Sequence, residues 1–243
     1  YKKLMFPTNS ELLEKSKKTL SKRIVLNILL AVGVIQISQI LISLIFNAIN
    51  DGSFFLNILT IITTFYFQAS FAIGLISFYM SIARGNGVKI DLIFSYFNSI
   101  KPILASLLYG IMVVVGFVFF IVPGILIALT FFPVFYMIAD DKQIDFFEAF
   151  NKSYKLMSGR KGQLFFLQLR AFLFVLLAFI PCFLAFTIGI NSYTEEGVFP
   201  FFDFPGVIFY SIAITITLIS VVWITILFSL AYANFYDALI KKP

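Results

Sequence analysis

The chain has 243 residues and carries 18 Lys and Arg against 12 Asp and Glu, a formal net charge of +6. It is 60% hydrophobic and 12% charged, against ~25% charged in a soluble domain. This excludes a soluble globular fold: only lipid can cover helices that are apolar all round. The sequence has no His, which removes the commonest general base and metal ligand. Its one Cys, Cys182, rules out a disulfide framework. The N-terminus is charged and Lys-rich rather than a cleavable signal peptide.

A bilayer core of ~30 Å needs ~20 apolar residues as helix. In chain order, spans are predicted over 24–46, 54–83, 103–122, 125–139, 164–190 and 207–238. The fourth is short, and Pro123-Gly124 is the expected turn between the third and fourth: Pro cannot continue a helix ladder and Gly permits a tight turn. A full hairpin is preferred there over a re-entrant one. Pro133 and Pro181 are expected to kink spans four and five. The expected fold is all-α: a polytopic transmembrane bundle of six spans, with short amphipathic cytoplasmic helices before spans 1, 3 and 5.

Charge sets the orientation. The loops at 47–53, 123–124 and 191–206 hold no Lys or Arg, whereas all 18 basic residues lie in the N-terminal segment, 84–101, 142–170 and 241–242. By the positive-inside rule both termini are cytoplasmic. The expected location is the bacterial cytoplasmic (inner) membrane. Because the basic residues flank spans, nucleic acid is excluded as a partner. The expected partners are membrane lipids, through anionic headgroups on the cytoplasmic side, and a membrane protein.

The basic segments resemble one another. Lys15-Ser16-Lys17-Lys18 is followed by Ser21 and Arg23, and Lys152-Ser153-Tyr154-Lys155 by Ser158 and Arg160, at the same spacing. The middle segment has Ile90-Asp91 and then Ser99-Ile100-Lys101, as the third has Ile144-Asp145 and Ser153-Tyr154-Lys155. Three tandem parallel units follow, about 9–83, 88–139 and 141–238, each an interfacial helix and then a membrane hairpin. In the third, Ile144, Phe147, Phe150, Tyr154 and Met157 form an apolar stripe at helical spacing. Asp140 or Asp141 is the expected cap, Glu148 and Lys152 an i,i+4 pair, and Gly159 the C-cap. Such a helix is expected to lie in the headgroup plane.

The run Val122-Pro123-Gly124-Ile125, then Ala139-Asp140-Asp141, Glu148-Ala149-Phe150, Ser153, Leu156-Met157, Gly159 and Leu164-Phe165 resembles a bacterial membrane family of unknown function. That family is related to YciC-like proteins and to the membrane domain fused to glycerophosphoryl diester phosphodiesterases. The resemblance implies a six-helix membrane fold, and no activity or catalytic residue.

Candidate site residues are few. Arg170 is the one charge inside a span, a functional candidate by default set against snorkelling to the headgroups or a structural pair with Asp237. Gln36, Gln39 and Gln68 lie mid-span, where amides commonly fasten helices together. Arg170, Gln36, Gln68 and Asp237 are therefore the ligand or lipid candidates. Lys18, Arg23, Lys101, Lys155, Arg160 and Lys161 are the expected lipid-headgroup contacts, each worth about 1 kcal/mol. Asp140, Asp141, Asp145 and Glu148 could bind a divalent cation, but caps and ion pairs explain them better, and no metal or cofactor is expected. Ser16, Ser99 and Ser153, each two residues before a Lys, invite a nucleophile reading that their place at the wet interface disfavours. The aromatic loop 198–205 is expected at the outer interface. The chain is read as non-enzymatic. The expected role is transport or membrane and envelope homeostasis with a lipid or apolar small-molecule ligand. The alternative is an accessory or immunity protein that binds a membrane partner.

Overall fold

The computed structural model describes residues 6–49, 53–187 and 204–241. Every regular element among them is helical. In order these are α1 (Asn9–Thr19), α2 (Lys22–Ile49), α3 (Phe54–Ala83), a 3-10 helix (Ile90–Phe94), α4 (Lys101–Phe119), α5 (Ile121–Phe131), α6 (Pro133–Asp140), α7 (Phe146–Leu156), α8 (Lys161–Ala178) and α9 (Phe204–Ile240). Six stretches are long and apolar enough to cross a membrane: Lys22–Phe46, Phe54–Ala83, Lys101–Phe119, Ile121–Asp140, Lys161–Thr187 and Ile208–Ile240. The chain is thus a multi-pass membrane protein. Residues 198–203 of the aromatic loop lie outside the described residues.

Span four differs from the sequence expectation. Pro123-Gly124 is not the turn: both residues sit in the first turn of α5, and Phe120 alone, with φ −166° and ψ 156°, separates α4 from α5. The first amides of a helix have no intrahelical partner, so Pro costs nothing there. The span starts four residues earlier than expected and reaches 20 residues, Ile121–Asp140. Gly124 has another use. A Cβ on Gly116 would lie 2.9 Å from the Gly124 Cα, and one on Gly124 would lie 2.6–2.8 Å from the Phe117 ring. The two glycines let α4 and α5 touch backbone to backbone. Helix breaks fall at Phe132, directly before Pro133, and at Phe179, two residues before Pro181, since each Pro lacks an amide for the ladder.

The chain divides into two compact units, Tyr1–Leu164 with Ser229–Pro243, and Phe165–Phe228. In the second, Phe174 meets Phe228 at 6.1 Å between ring centroids and the Cys182 thiol donates to Thr217 Oγ1 at 3.2 Å. In the first, the three short helices are each seated on an even-numbered span. Ser16 of α1 is fully buried; its hydroxyl donates to Leu12 O and accepts from Asn234 Nδ2 of α9 at 3.1 Å. The 3-10 helix lies on α3, its Ile93 backbone against Gly74. Ser153 of α7, also fully buried, donates to Thr130 O of α5 at 2.7 Å. Ser99 has a lesser duty, accepting the Lys101 amide at the start of α4. The buried serines are fasteners between helices.

The cap of α7 is Asp145, whose carboxylate accepts the Phe147 and Glu148 amides, not Asp140 or Asp141. The apolar stripe divides. Ile144, Phe150 and Met157 are buried, whereas Phe147 and Tyr154 are 73% and 60% exposed. One side of α7 packs on protein and the other carries exposed aromatic rings. Helix α1 opens with a full capping box between Thr8 and Glu11.

Gly74 decides whether the 3-10 helix can dock. A Cβ there would stand 2.1 Å from Ile93 O and 2.7 Å from its carbonyl carbon. Both are backbone atoms that cannot rotate away. Gly74→Ala is expected to cost ~1–3 kcal/mol, as overpacking does, read as a lower thermal midpoint in detergent. Gly110→Ala, where a Cβ meets nothing within 4 Å, should leave the midpoint unchanged or raise it.

Candidate functional site

The basic segments meet at one end of the first unit, and Arg84 is at their centre. It caps α3, and the chain leaves the helix through Gly85 and Gly87, with φ of +75° and +82°, a conformation that favours Gly. The exit projects the Arg84 side chain across the ends of spans four and six. Its Nε donates to Asp237 Oδ1 at 2.9 Å and its Nη2 lies 2.8 Å from the same oxygen. Its Nη1 pairs with Asp140 Oδ1. One guanidinium thus joins three span ends that are far apart in the chain. The hydrogen bond to Asp140 foremost, and the one to Asp237, raise the Arg84 pKa against the opposing effect of burial.

Tyrosines complete the cluster. Tyr236 OH donates to Asp140 Oδ2 at 3.4 Å. Tyr96 OH lies 2.9 and 3.0 Å from the carbonyls of Ile138 and Ala139, which, near the helix C-terminus, have no intrahelical partner. Burial, reinforced by the charge of Asp140, pushes the Tyr96 phenol up to about 12, so it stays a neutral donor at physiological pH. Tyr79, Tyr136 and Tyr236 are all buried, and the last two rings stack at 5.5 Å. Each belongs to a Phe-Tyr pair near the end of its span: Phe78-Tyr79, Phe135-Tyr136 and Phe235-Tyr236. That recurrence is a signal in the sequence separate from charge and Ser-x-Lys spacing.

Cavities flank Asp140. One of about 220 Å³ is lined by Ser77, Ser81, Arg84, Asn86, Lys89 and Asp140 together with apolar atoms. The other, of about 430 Å³, has Asp140, Asp141, Lys152, Lys155 and Tyr236 on its walls with Met137, Ile144, Leu156 and Ile240. A third hollow, of about 660 Å³, runs between α3 and α4 and is almost wholly apolar, with Ile61, Ile62, Phe65, Phe67, Ile103 and Leu107 among its walls. Near it, Tyr66 OH donates to Phe97 O.

The sequence candidates are dispersed. Asp237 is buried, but its partner is Arg84, not Arg170. Arg170 is exposed on α8 in the other unit, and Gln36 and Gln68 are exposed on α2 and α3. Lys18 pairs with Glu14 at 2.8 Å and holds that carboxyl below its ordinary value, while Arg23 is exposed. Lys101 is a clamp: its Nζ donates to Lys142 O and Ile144 O at 2.7 and 2.8 Å. Arg160 lies over the Phe6 ring at 4.4 Å and Lys161 over Tyr154 at 5.8 Å. Lys155 is exposed at the rim of the 430 Å³ cavity. The acidic residues are divided among other tasks, Asp145 as cap and Glu148 as partner of Lys152 at 2.7 Å. Among the described residues no group of three or more His, Cys, Asp or Glu could hold a metal ion.

The two carboxylates bound by Arg84 differ in burial, with side chains 5% exposed for Asp237 and 27% for Asp140. Removing a partner from a buried pair costs ~3–5 kcal/mol, and an exposed pair contributes ~0–1 kcal/mol. Asp237→Ala is therefore expected to destabilise the protein by at least ~2 kcal/mol more than Asp140→Ala, measured by denaturation in detergent. Equal losses would contradict the assignment of Asp237 as the main anchor.

No curated protein and no solved structure matches the chain. A family model described as a protein of unknown function, DUF975, matches residues 109–242, more than half of the chain and including Asp140 and Asp237. The chain belongs to that family.

Proposed function

We propose that the protein is a non-enzymatic protein of the bacterial cytoplasmic membrane, with both termini in the cytoplasm, that serves transport or envelope homeostasis by holding a lipid or apolar ligand. The observation that carries this reading is the apolar hollow between α3 and α4. Its volume of about 660 Å³ falls in the range of small-molecule sites, ~300–1,000 Å³. Its walls suit acyl chains or another apolar body, and two spans flank it. The one-sided basic residues support the orientation. The three tandem units belong to the same proposal, each short helix resting on the second span of a hairpin. So does the kinship with YciC-like proteins and phosphodiesterase membrane domains, which supplies no residue to it.

An accessory role with a membrane protein partner is the second reading, supported by Gln36 and Gln68. Both amides are exposed on otherwise apolar helices, where a neighbouring helix could satisfy them.

Mass spectrometry of lipids retained on the purified protein tests the first reading. Leu107→Trp, which fills the hollow, is expected to lower retention at least about tenfold, because losing the burial of two methylenes already costs about 1.6 kcal/mol. Unchanged retention would remove the hollow from consideration. Orientation is checked by labelling in a Cys182→Ala background. Ser158→Cys should react only from the cytoplasmic side and Val198→Cys only from the outside.

A further inference from the structure

The cavity of about 430 Å³ joins opposite charges to apolar side chains. Asp140, Asp141, Lys152 and Lys155 line it together with Met137, Leu156 and Ile240. The four charges cancel. A simple anion would meet the carboxylates, and a simple cation would meet the ammonium groups. A dipolar group with an apolar attachment satisfies both.

The free valences sharpen this. Asp140 already serves Arg84 and Tyr236. Asp141 uses Oδ1 to accept the Gln143 amide, which leaves Oδ2 as an acceptor. Lys152 is shared with Glu148, whereas Lys155 has no ion pair among the described residues. A carboxylate acceptor wants a donor, so a primary ammonium fits better than a quaternary one, which has no N–H and calls for an aromatic cage. Lys152 and Lys155 supply point charges of the kind that hold phosphate. On the same helix Phe147 and Tyr154 are exposed, as aromatic rings are at the headgroup level of a membrane.

We infer that this cavity binds a headgroup made of a phosphate and a primary ammonium, as in an ethanolamine phospholipid, with Lys155 and Lys152 on the phosphate and Asp141 on the ammonium. The inference rests on the lipid-holding function proposed above and specifies its headgroup.

The test is native mass spectrometry of the purified full chain in mild detergent, offered an equimolar mixture of phosphatidylethanolamine, phosphatidylcholine and phosphatidylglycerol. A parallel arm uses soluble glycerophosphoethanolamine and glycerophosphocholine. The ethanolamine form should be preferred. Lys155→Ala should lower its occupancy about fivefold, the size of one ammonium–phosphate contact. Asp141→Asn, which keeps the acceptor for Gln143, should bring ethanolamine and choline forms to parity. Ethanolamine selectivity in the lipid arm identifies the ligand as a bilayer lipid, and selectivity in the soluble arm alone identifies a free headgroup; both uphold the site. Lipid retained without headgroup preference, sensitive to Leu107→Trp and indifferent to Lys155→Ala, overturns this inference and leaves the apolar hollow standing. A protein that retains no lipid at all, and binds neither soluble headgroup, overturns both.

Discussion

Arg84 is one cation held by two carboxylates, and the arrangement of the span ends follows from it. Asp140 closes span four and Asp237 lies near the end of span six. Asp237 could not be left in its buried site without a partner, because desolvating an unpaired charge costs several kcal/mol. Arg suits the position better than Lys would. Its guanidinium presents donors in a rigid fork and can face two acids at once. Within a bilayer, apolar burial does not draw helices together, since lipid is as apolar as leucine. Polar fasteners at the wet end therefore set which helix meets which.

Packing agrees with this division of labour. Within the first unit the buried residues crowd the basic end: Phe71 to Ile82 of α3, Val134 to Ala139 of α6 and Leu230 to Leu239 of α9. The remaining stretches of the spans expose large apolar side chains, such as Ile61 and Ile62 on α3 or Val118 and Phe119 on α4. Those surfaces suit lipid. The basic end resembles a small soluble core, with Tyr79, Tyr136 and Tyr236 inside and three short helices around it. Gly74, Ser16 and Ser153 are the points at which the surrounding helices are fixed.

The spans were legible because hydropathy over ~20 residues is a strong signal. The Glu148–Lys152 pair was legible because it is local. The start of span four was misread because Pro reads as a break and is equally at home in a first helical turn. The cap of α7 was misplaced because Asp140, Asp141 and Asp145 offer the same chemistry within six positions. Asp237 stands out in the sequence, but its partner does not. Arg84 sits just past a span, where it looks like any interfacial basic residue, and the bond joins positions 153 residues apart. Gln36 and Gln68 stand out by their polarity, but polarity alone does not tell which side of a helix faces the protein. The cavity at Lys152 and Lys155 depends on three segments converging, which no local pattern encodes.

The bond between Ser16 and Asn234 joins positions 218 residues apart. Synthesis at about 5–20 residues per second separates their appearance by roughly 10–45 s. For all of that interval α1 is made but its seat on α9 is not. Leu12 and Leu13 are buried in the finished molecule, where α1 also touches α3. Helix α1 is thus made long before it is locked, and its docking reports that the sixth span has arrived.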